Sequence, residues 1–376
     1  MQAVQTQGYE VGTVLYMAME LSNRSWKLAF SNGERMRRRS LPARDRVQLL
    51  EEVALAKQRL GMVAEARVMV CFEAGRDGHW IYHWLTAEGF EVREIDSSSI
   101  ETARGRKHVK TDRVDVVKLL DLLLRYAHGY RRAFSVVRVP SRAAEAAQRL
   151  HREDEYLLRQ RSRVSNRIQG LLVAQGVTEA PLRGDFAGWL QRVQLWDGAG
   201  LSPALQAELL RLYRQYELLD AQLAELCAAY TEELAGASPV ARKRQRLEQL
   251  KSIGPKSSRV LAAELFSWRV FRNGKQVGGM AGLTPTPSRS GEVEREQGIS
   301  KAGNRRVRRV MIELAWLWLQ WQPDSALSQW FRRRFAGGGK RLRRVGIVAL
   351  ARKLLIALWR YVEWGVLPEG AVLKAA

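Results

Sequence analysis

The stretch Lys110-Thr111-Asp112-Arg113-Val114-Asp115, running into Val116-Val117-Lys118-Leu119-Leu120, decides how the first third of the chain folds. Val116, Leu119, Leu120 and Leu123 recur at helical spacing, so a helix starts here, with Thr111 or Asp112 as its cap. Asp112 and Asp115 are i and i+3 and project from one face of that helix. Two carboxylates held so close repel unless a proton or a cation joins them, and a hard divalent cation takes oxygen ligands of this kind. A solvated acidic first turn favoured by the helix dipole is the competing reading.

Toward the N-terminus, Thr13–Leu21 and Trp26–Phe30 read as short strands joined tightly through Ser22-Asn23, and Arg35–Leu41 is a candidate third. Arg44–Leu60 is an amphipathic helix with Val47, Leu50, Val53 and Leu60 on one side. Arg67-Val68-Met69-Val70-Cys71-Phe72 has the continuous apolar character of a buried strand and ends at Glu73. A helix over His79–Glu88 and a strand over Phe90–Ile95 follow. Antiparallel strands and then βαβ units predict a mixed sheet flanked by helices over residues 1–135. Glu20 closes the first strand, as Glu73 closes the later one, and a carboxylate at the end of an apolar strand is costly to bury alone. Glu20, Glu73, Asp112 and Asp115 are therefore a candidate four-acid site for Mg2+ or Mn2+. Two metals about 4 Å apart in such a site would activate the attacking oxygen of a phosphodiester transfer and stabilise the leaving one. Solvated strand ends are the alternative for each glutamate. His79 and His83, i and i+4 just beyond Glu73, are candidate neighbours of the acids.

Pro140 opens a different regime, and residues 136–240 read as a coiled-coil linker or oligomerisation region. From Ser141 to Gln175 the chain is helical and Arg-rich, with Ala147, Leu150, Leu157, Val164, Ile168 and Leu171 on a heptad-like seam that Asp154 and Arg161 interrupt. A Gly- and Pro-broken section precedes a second helix that Ser202 or Leu201 opens, with Pro203 early in it. Leu205, Leu209, Leu212, Tyr216, Leu219, Leu223, Leu226 and Tyr230 then repeat at four and three. These two helices form an antiparallel coiled coil, within one chain or with a second protomer.

Residues 241–376 are helical and basic. Leu250-Lys251-Ser252-Ile253-Gly254-Pro255-Lys256 reads as helix, glycine turn, helix, a helix-hairpin-helix that offers backbone N–H groups at Gly254 and the charge of Lys256 to a phosphate. Further on, Ser288-Arg289-Ser290-Gly291-Glu292 lies in an irregular segment before Gly298-Ile299-Ser300-Lys301-Ala302-Gly303-Asn304. A basic helix follows, with Val307, Val310, Met311, Leu314, Leu317, Trp318 and Trp321 as its core stripe and Arg305, Arg306, Arg308 and Arg309 outside it. The Ser290 hydroxyl could attack a phosphodiester, with guanidinium groups such as Arg289 stabilising the charge that develops. Lys340, Arg341, Arg343 and Arg344 form a phosphate track or a solvated basic face.

The chain has 376 residues, with 62 Lys+Arg against 39 Asp+Glu, a formal charge of +23 spread along its length. That is long enough for two or three domains and points to a polyanion partner, most simply DNA or RNA. An anionic membrane surface fits less well than nucleic acid, since no apolar run reaches the ~20 residues that cross a bilayer and no signal peptide is evident, and no membrane partner is expected. Cys71 and Cys227 are too few for a disulfide framework or a cysteine zinc site, which fits a cytoplasmic protein.

In the order acid in strand one, Cys71-Phe72-Glu73-Ala74-Gly75, then Lys110-Thr111-Asp112-Arg113-Val114-Asp115, the chain resembles the DEDD transposases of bacterial insertion sequences, the IS-one-ten family. Ala281-Gly282-Leu283-Thr284-Pro285, Ser290-Gly291 and Ile299-Ser300-Lys301-Ala302-Gly303-Asn304 resemble the family's C-terminal transposase domain. The resemblance implies an α/β plus α architecture: an RNase H-like, Holliday-junction-resolvase-like first domain, then the coiled coil, then the helical transposase domain. It places Glu73, Asp112 and Asp115 on the family's second to fourth acids, and Ser290 on its serine nucleophile. The first acid is an aspartate in the family and Glu20 here, one methylene longer. The resemblance also implies one composite site of acids and serine, a homo-oligomer (dimer or tetramer), donor and target DNA, and a noncoding bridge RNA. On that basis Lys110, Arg113, Gly254, Lys256, Arg289, Lys301, the arginines of 305–309 and the basic residues of 340–344 are candidate nucleic-acid contacts of a nucleoid-associated recombinase. A metal-dependent resolvase-like nuclease with water as nucleophile, and an inactive nucleic-acid-binding scaffold, are the alternative readings.

Overall fold

The computed structural model describes residues 13–75, 77, 79–100, 112–290, 293–335 and 337–374. Lys110 lies outside them, and Asp112, Arg113, Asp115, Arg289 and Ser290 are described by backbone placement alone. The chain divides into two compact units, residues 1–139 and 140–376.

The first unit is built on a five-stranded mixed sheet. Its strands are β1 (Val14–Leu21), β2 (Ser25–Ser31), β3 (Met36–Pro42), β4 (Arg67–Glu73) and β5 (Glu91–Ile95), in spatial order β3-β2-β1-β4-β5. β1, β2 and β3 form an antiparallel meander, while β4 runs parallel to β1 and β5 parallel to β4. β1 is central, so both of its faces are apolar and buried. One face, with Leu15, Met17 and Met19, packs against α1 (Arg46–Arg59) and α2 (Trp80–Ala87). The other, with Val14, Tyr16 and Ala18, packs against α3 (Asp112–Ala127) through Val116, Leu119, Leu120 and Leu123. Each such leucine contributes about 1.5–3 kcal/mol by leaving water. The candidate third strand is β3, an edge strand whose Arg37, Arg38 and Arg39 oppose edge-to-edge pairing.

Helix α1 starts later than the periodicity indicates, because Asp45 caps it by accepting from Gln48 N at 2.9 Å. Val47, placed on the apolar side by spacing, is 69% exposed; Leu49, Val53 and Ala56 fill the core instead.

The second unit opens with α4 (Arg142–Val173), capped by Ser141, and α6 (Pro203–Ala235), capped by Ser202 with Pro203 in its first turn. Arg161 pairs with Asp220, and Arg167 pairs with Glu208 at 2.8 Å, so the two helices run antiparallel within one chain. Ile168, Leu172, Leu209 and Tyr213 share their core with Phe186 and Leu190 of the short α5 (Phe186–Arg192). The remaining helices are α7 (Pro239–Glu248), α8 (Pro255–Leu261), α9 (Gly274–Met280), α10 (Arg305–Trp321), α11 (Ala326–Phe335) and α12 (Lys340–Trp364). A π-helical turn, Ala262–Phe266, extends α8. A hairpin of β6 (Pro285–Ser290) and β7 (Val293–Ile299) lies between α9 and α10.

The core of α10 is Val307, Val310, Met311, Leu314, Ala315 and Trp318. Leu317 and Trp321, assigned to its stripe by spacing, are 38% and 54% exposed. Among the described residues, no helix is long and apolar enough to cross a membrane.

Candidate active site

Glu20 and Glu73 stand at the C-terminal ends of two adjacent parallel strands. The β1–β4 register pairs Ala18 with Cys71 and Met19 with Phe72, so the next step brings Glu20 beside Glu73. Side chains alternate along a strand. Ala18 and Cys71 face α3, and Glu20 and Glu73 share their parity. Helix α3 runs antiparallel to β1: the His128 ring, just past its C-terminus, meets Tyr16 at 6.3 Å, and the Leu119 carbonyl accepts from Cys71 Sγ at 3.6 Å. The first turn of α3, with positions 112 and 115, therefore lies toward the strand ends that carry Glu20 and Glu73. Positions 112 and 115 also stand one turn before Val116 and Leu119, which pack on the sheet. A set of oxygen donors at strand ends suits a hard divalent cation. Lys27, opposite Glu20 on β2, holds its Nζ 3.9 Å from Glu20 Oε2.

His79 contacts a different acid. Its Nδ1 lies 3.0 Å from Oε2 of the buried Glu94. Glu94 pairs in register with Phe72, whose face is the one packed by α1 and α2, opposite Glu73. Burial pushes the Cys71 thiol up, and the nearby Glu73 adds to this, which suits a structural role.

Ser290 is the last residue of β6 and pairs with Val293, which places it at the tip of the hairpin. The base of the hairpin is built by close backbone approach. Ser300 N donates to Thr284 O at 2.9 Å, Lys301 N to Gly282 O at 3.1 Å and Asn304 N to Met280 O at 2.6 Å. Gly282 (φ +64°) and Gly303 (φ +114°) are obligatory here: a Cβ on Gly282 would sit 2.4 Å from Ala302 O, and one on Gly303 2.4 Å from Met280 O. Lys301 has φ +55°, a conformation rare for a side-chain-bearing residue. Arg308 Nη1 locks the crossing by donating to Ala281 O at 3.1 Å and Lys301 O at 2.8 Å.

Asn304 caps α10 by accepting from the N–H groups of Arg306 and Val307. Its Nδ2 donates to Glu264 Oε2 at 2.7 Å. Glu264, 2% exposed on the π-helical turn, also accepts from His151 Nε2 at 2.8 Å and from Arg152 at 2.8 and 3.0 Å. Burial alone would raise its pKa; the bonds from His151 and Arg152 outweigh that and hold it well below the usual carboxylate range. The sequence reading missed Glu264, although an acid inside the apolar run Leu261–Phe266 was a signal that a partner had to exist.

The remaining basic residues fall in different settings. Gly254 caps α8 with an extended backbone, and Lys256 is exposed on that helix. Arg305 is exposed, while Arg306 and Arg309 bind Glu155 of α4 at 2.8 and 2.5 Å. Lys340, Arg341, Arg343 and Arg344 are exposed at the start of α12.

A mixed sheet with carboxylates at parallel strand ends, joined in one chain to a basic helical unit, defines a nucleic-acid-processing protein of the α/β plus α class. The family model described as Transposase IS116/IS110/IS902 family matches residues 244–345, which include Ser290. The DEDD transposase model of the same family matches residues 25–175, enclosing Glu73, Asp112 and Asp115 and starting beyond Glu20. The transposase y4rJ of Sinorhizobium fredii is 40% identical, with 96% of this chain and 94% of that one covered. A family 20 transposase of Pseudomonas aeruginosa is 30% identical over 77% of this chain and 82% of its own. The transposase for insertion sequence element IS1328 of Yersinia enterocolitica is 23% identical over 81% and 85%. The chain belongs to the IS110 family of insertion-sequence transposases, enzymes that cleave and rejoin DNA. Its DEDD domain implies an RNase H-like fold and a divalent-metal requirement.

Proposed function

We propose that this transposase breaks and rejoins DNA through a serine–phosphodiester intermediate. The Ser290 Oγ forms a bond to phosphorus as the bond to the leaving strand breaks. The serine proton ends on the hydroxyl of that strand, and reversal by an equivalent hydroxyl rejoins the backbone. Because a phosphodiester is exchanged for a phosphodiester, bond energy is kept and no nucleotide cofactor is needed. The observation that supports this reading is the build of the hairpin: two glycines and Arg308 fix a base from which Ser290 stands at the tip.

Glu20, Glu73, Asp112 and Asp115 hold Mg2+ or Mn2+ in this reading. When bound, the ion neutralises charge that develops on the reacting phosphate oxygens. Lys27 restrains the Glu20 carboxylate from the neighbouring strand. The exposed bases of α12 and Lys256 neutralise backbone phosphates. Donor and target DNA are the substrates. A bridge RNA as guide and a dimer or tetramer as working state complete the proposal.

The testing experiment incubates labelled donor DNA with wild-type and Ser290→Ala protein in Mg2+. A covalent protein–DNA adduct in the wild type that the variant lacks supports the serine route. Full strand cleavage by the variant supports water as nucleophile and overturns it.

A further inference from the structure

The second unit contains a cleft of about 470 Å³ walled by α4, α8 and α10. Its cations are Arg159, Arg163, Lys256, Arg259, Arg306 and Arg309, and its acids are Asp154, Glu155 and Glu313, which leaves three positive charges in surplus. Glu155 alone gathers three of the arginines, with Arg306, Arg309 and Arg159 at 2.8, 2.5 and 2.6 Å. Guanidinium forks that bind a carboxylate also match a phosphate, because each anion offers a pair of oxygens for bidentate hydrogen bonds. The Arg259 guanidinium is held 3.6 Å over the Tyr230 ring and also donates to Pro255 O at 3.2 Å, so its fork is fixed as well. Arg163 and Lys256 are exposed and have no acidic partner among the described residues.

We propose that this cleft seats a phosphodiester segment of a nucleic-acid strand, with Glu155 as the built-in anion that keeps Arg159, Arg306 and Arg309 aligned for it. The inference rests on the nucleic-acid-processing activity and adds a defined binding site to it. His151 joins the wall of the cleft to Glu264 and, through it, to the Asn304 cap at the base of the serine hairpin. A strand in the cleft is thereby registered against the hairpin by one continuous set of polar contacts.

The test measures fluorescence anisotropy of three labelled probes, a single-stranded RNA, a single-stranded DNA and a DNA duplex, against salt. The Arg163→Ala/Lys256→Ala double variant should bind at least one probe about tenfold more weakly, with a log K–log salt slope smaller by about two. The probe affected identifies the strand that uses the cleft. Arg163→Lys/Lys256→Arg should restore both affinity and slope, which separates charge from misfolding. Wild-type affinity and slope for all three probes in the alanine variant overturns the cleft assignment and with it the phosphate contact of Lys256, and leaves the serine chemistry standing. Failure of the wild-type protein to bind any probe overturns it together with the nucleic-acid reading.

Discussion

Asn304 Nδ2 donates to Glu264 Oε2 over 2.7 Å, and the same asparagine caps α10 and binds Met280 O through its backbone N–H. One residue thus joins a buried acid, a helix start and the base of the serine hairpin. Glu264 also receives His151 and Arg152 from α4, so the long antiparallel arm and the transposase motif meet on a single carboxylate. Glu264→Ala leaves those donors without an acceptor, a loss on the order of 3 kcal/mol. Melting of the second unit should fall by roughly 10 °C in calorimetry. An unchanged transition would show that the network carries no stability.

The same network sets the acid limb of stability. Glu264 and Glu155 both have folded-state pKa values depressed below the ordinary 4.5, with Glu155 brought to about 2. For Glu155, burial raises the pKa and the bonds from Arg306 and Arg309 outweigh it. A depressed carboxylate stabilises the fold above its unfolded pKa, and that stability is lost as pH falls through the folded value. The denaturation midpoint should therefore decline from about pH 4.5 downward, to about pH 2 for the Glu155 share. Glu155→Gln/Glu264→Gln should flatten that decline; an equal slope in wild type and variant would contradict it.

Gly303 has φ +114° and no room for a Cβ beside Met280 O. Gly303→Ala costs the strain of the left-handed region, roughly 1–2 kcal/mol, and forces the two backbone segments apart. DNA cleavage should fall at least a hundredfold in single-turnover assays, while duplex affinity changes less than threefold. Equal losses in both would place the effect on folding rather than on the hairpin.

Much of this organisation was legible in the sequence. The strands and helices of the first unit and their mixed sheet follow from apolar runs and helical spacing, but the strand order does not, and the segment around Ser290 that reads as irregular is the β6–β7 hairpin. What spacing could not supply was the end of each packed surface. Val47 and Trp321 continue a stripe on paper, yet both are more than half exposed. Glu264 was hidden for a different reason: its partners lie 113, 112 and 40 residues away, and an acid in an apolar run does not announce which donors reach it. His79 shows the converse, since its position near Glu73 in the chain places it on the opposite face of the sheet, paired with Glu94.

Glu20 and Glu73 are brought beside one another by the β1–β4 register, and Lys27 lies 3.9 Å from Glu20. Isothermal titration with Mn2+ should therefore show binding in the wild type that Glu20→Gln weakens at least tenfold. Glu20→Asp should retain it, since the carboxylate stays. Wild-type Mn2+ affinity in Glu20→Gln would remove Glu20 from the metal-binding set.

The central claim is that Ser290 becomes covalently bonded to DNA. Its most direct measurement is mass spectrometry of proteolysed wild-type protein after reaction with a donor duplex in Mg2+. The peptide that contains Ser290 should carry a nucleotide adduct that the Ser290→Ala protein lacks. Cleaved DNA with no adduct on that peptide would contradict it.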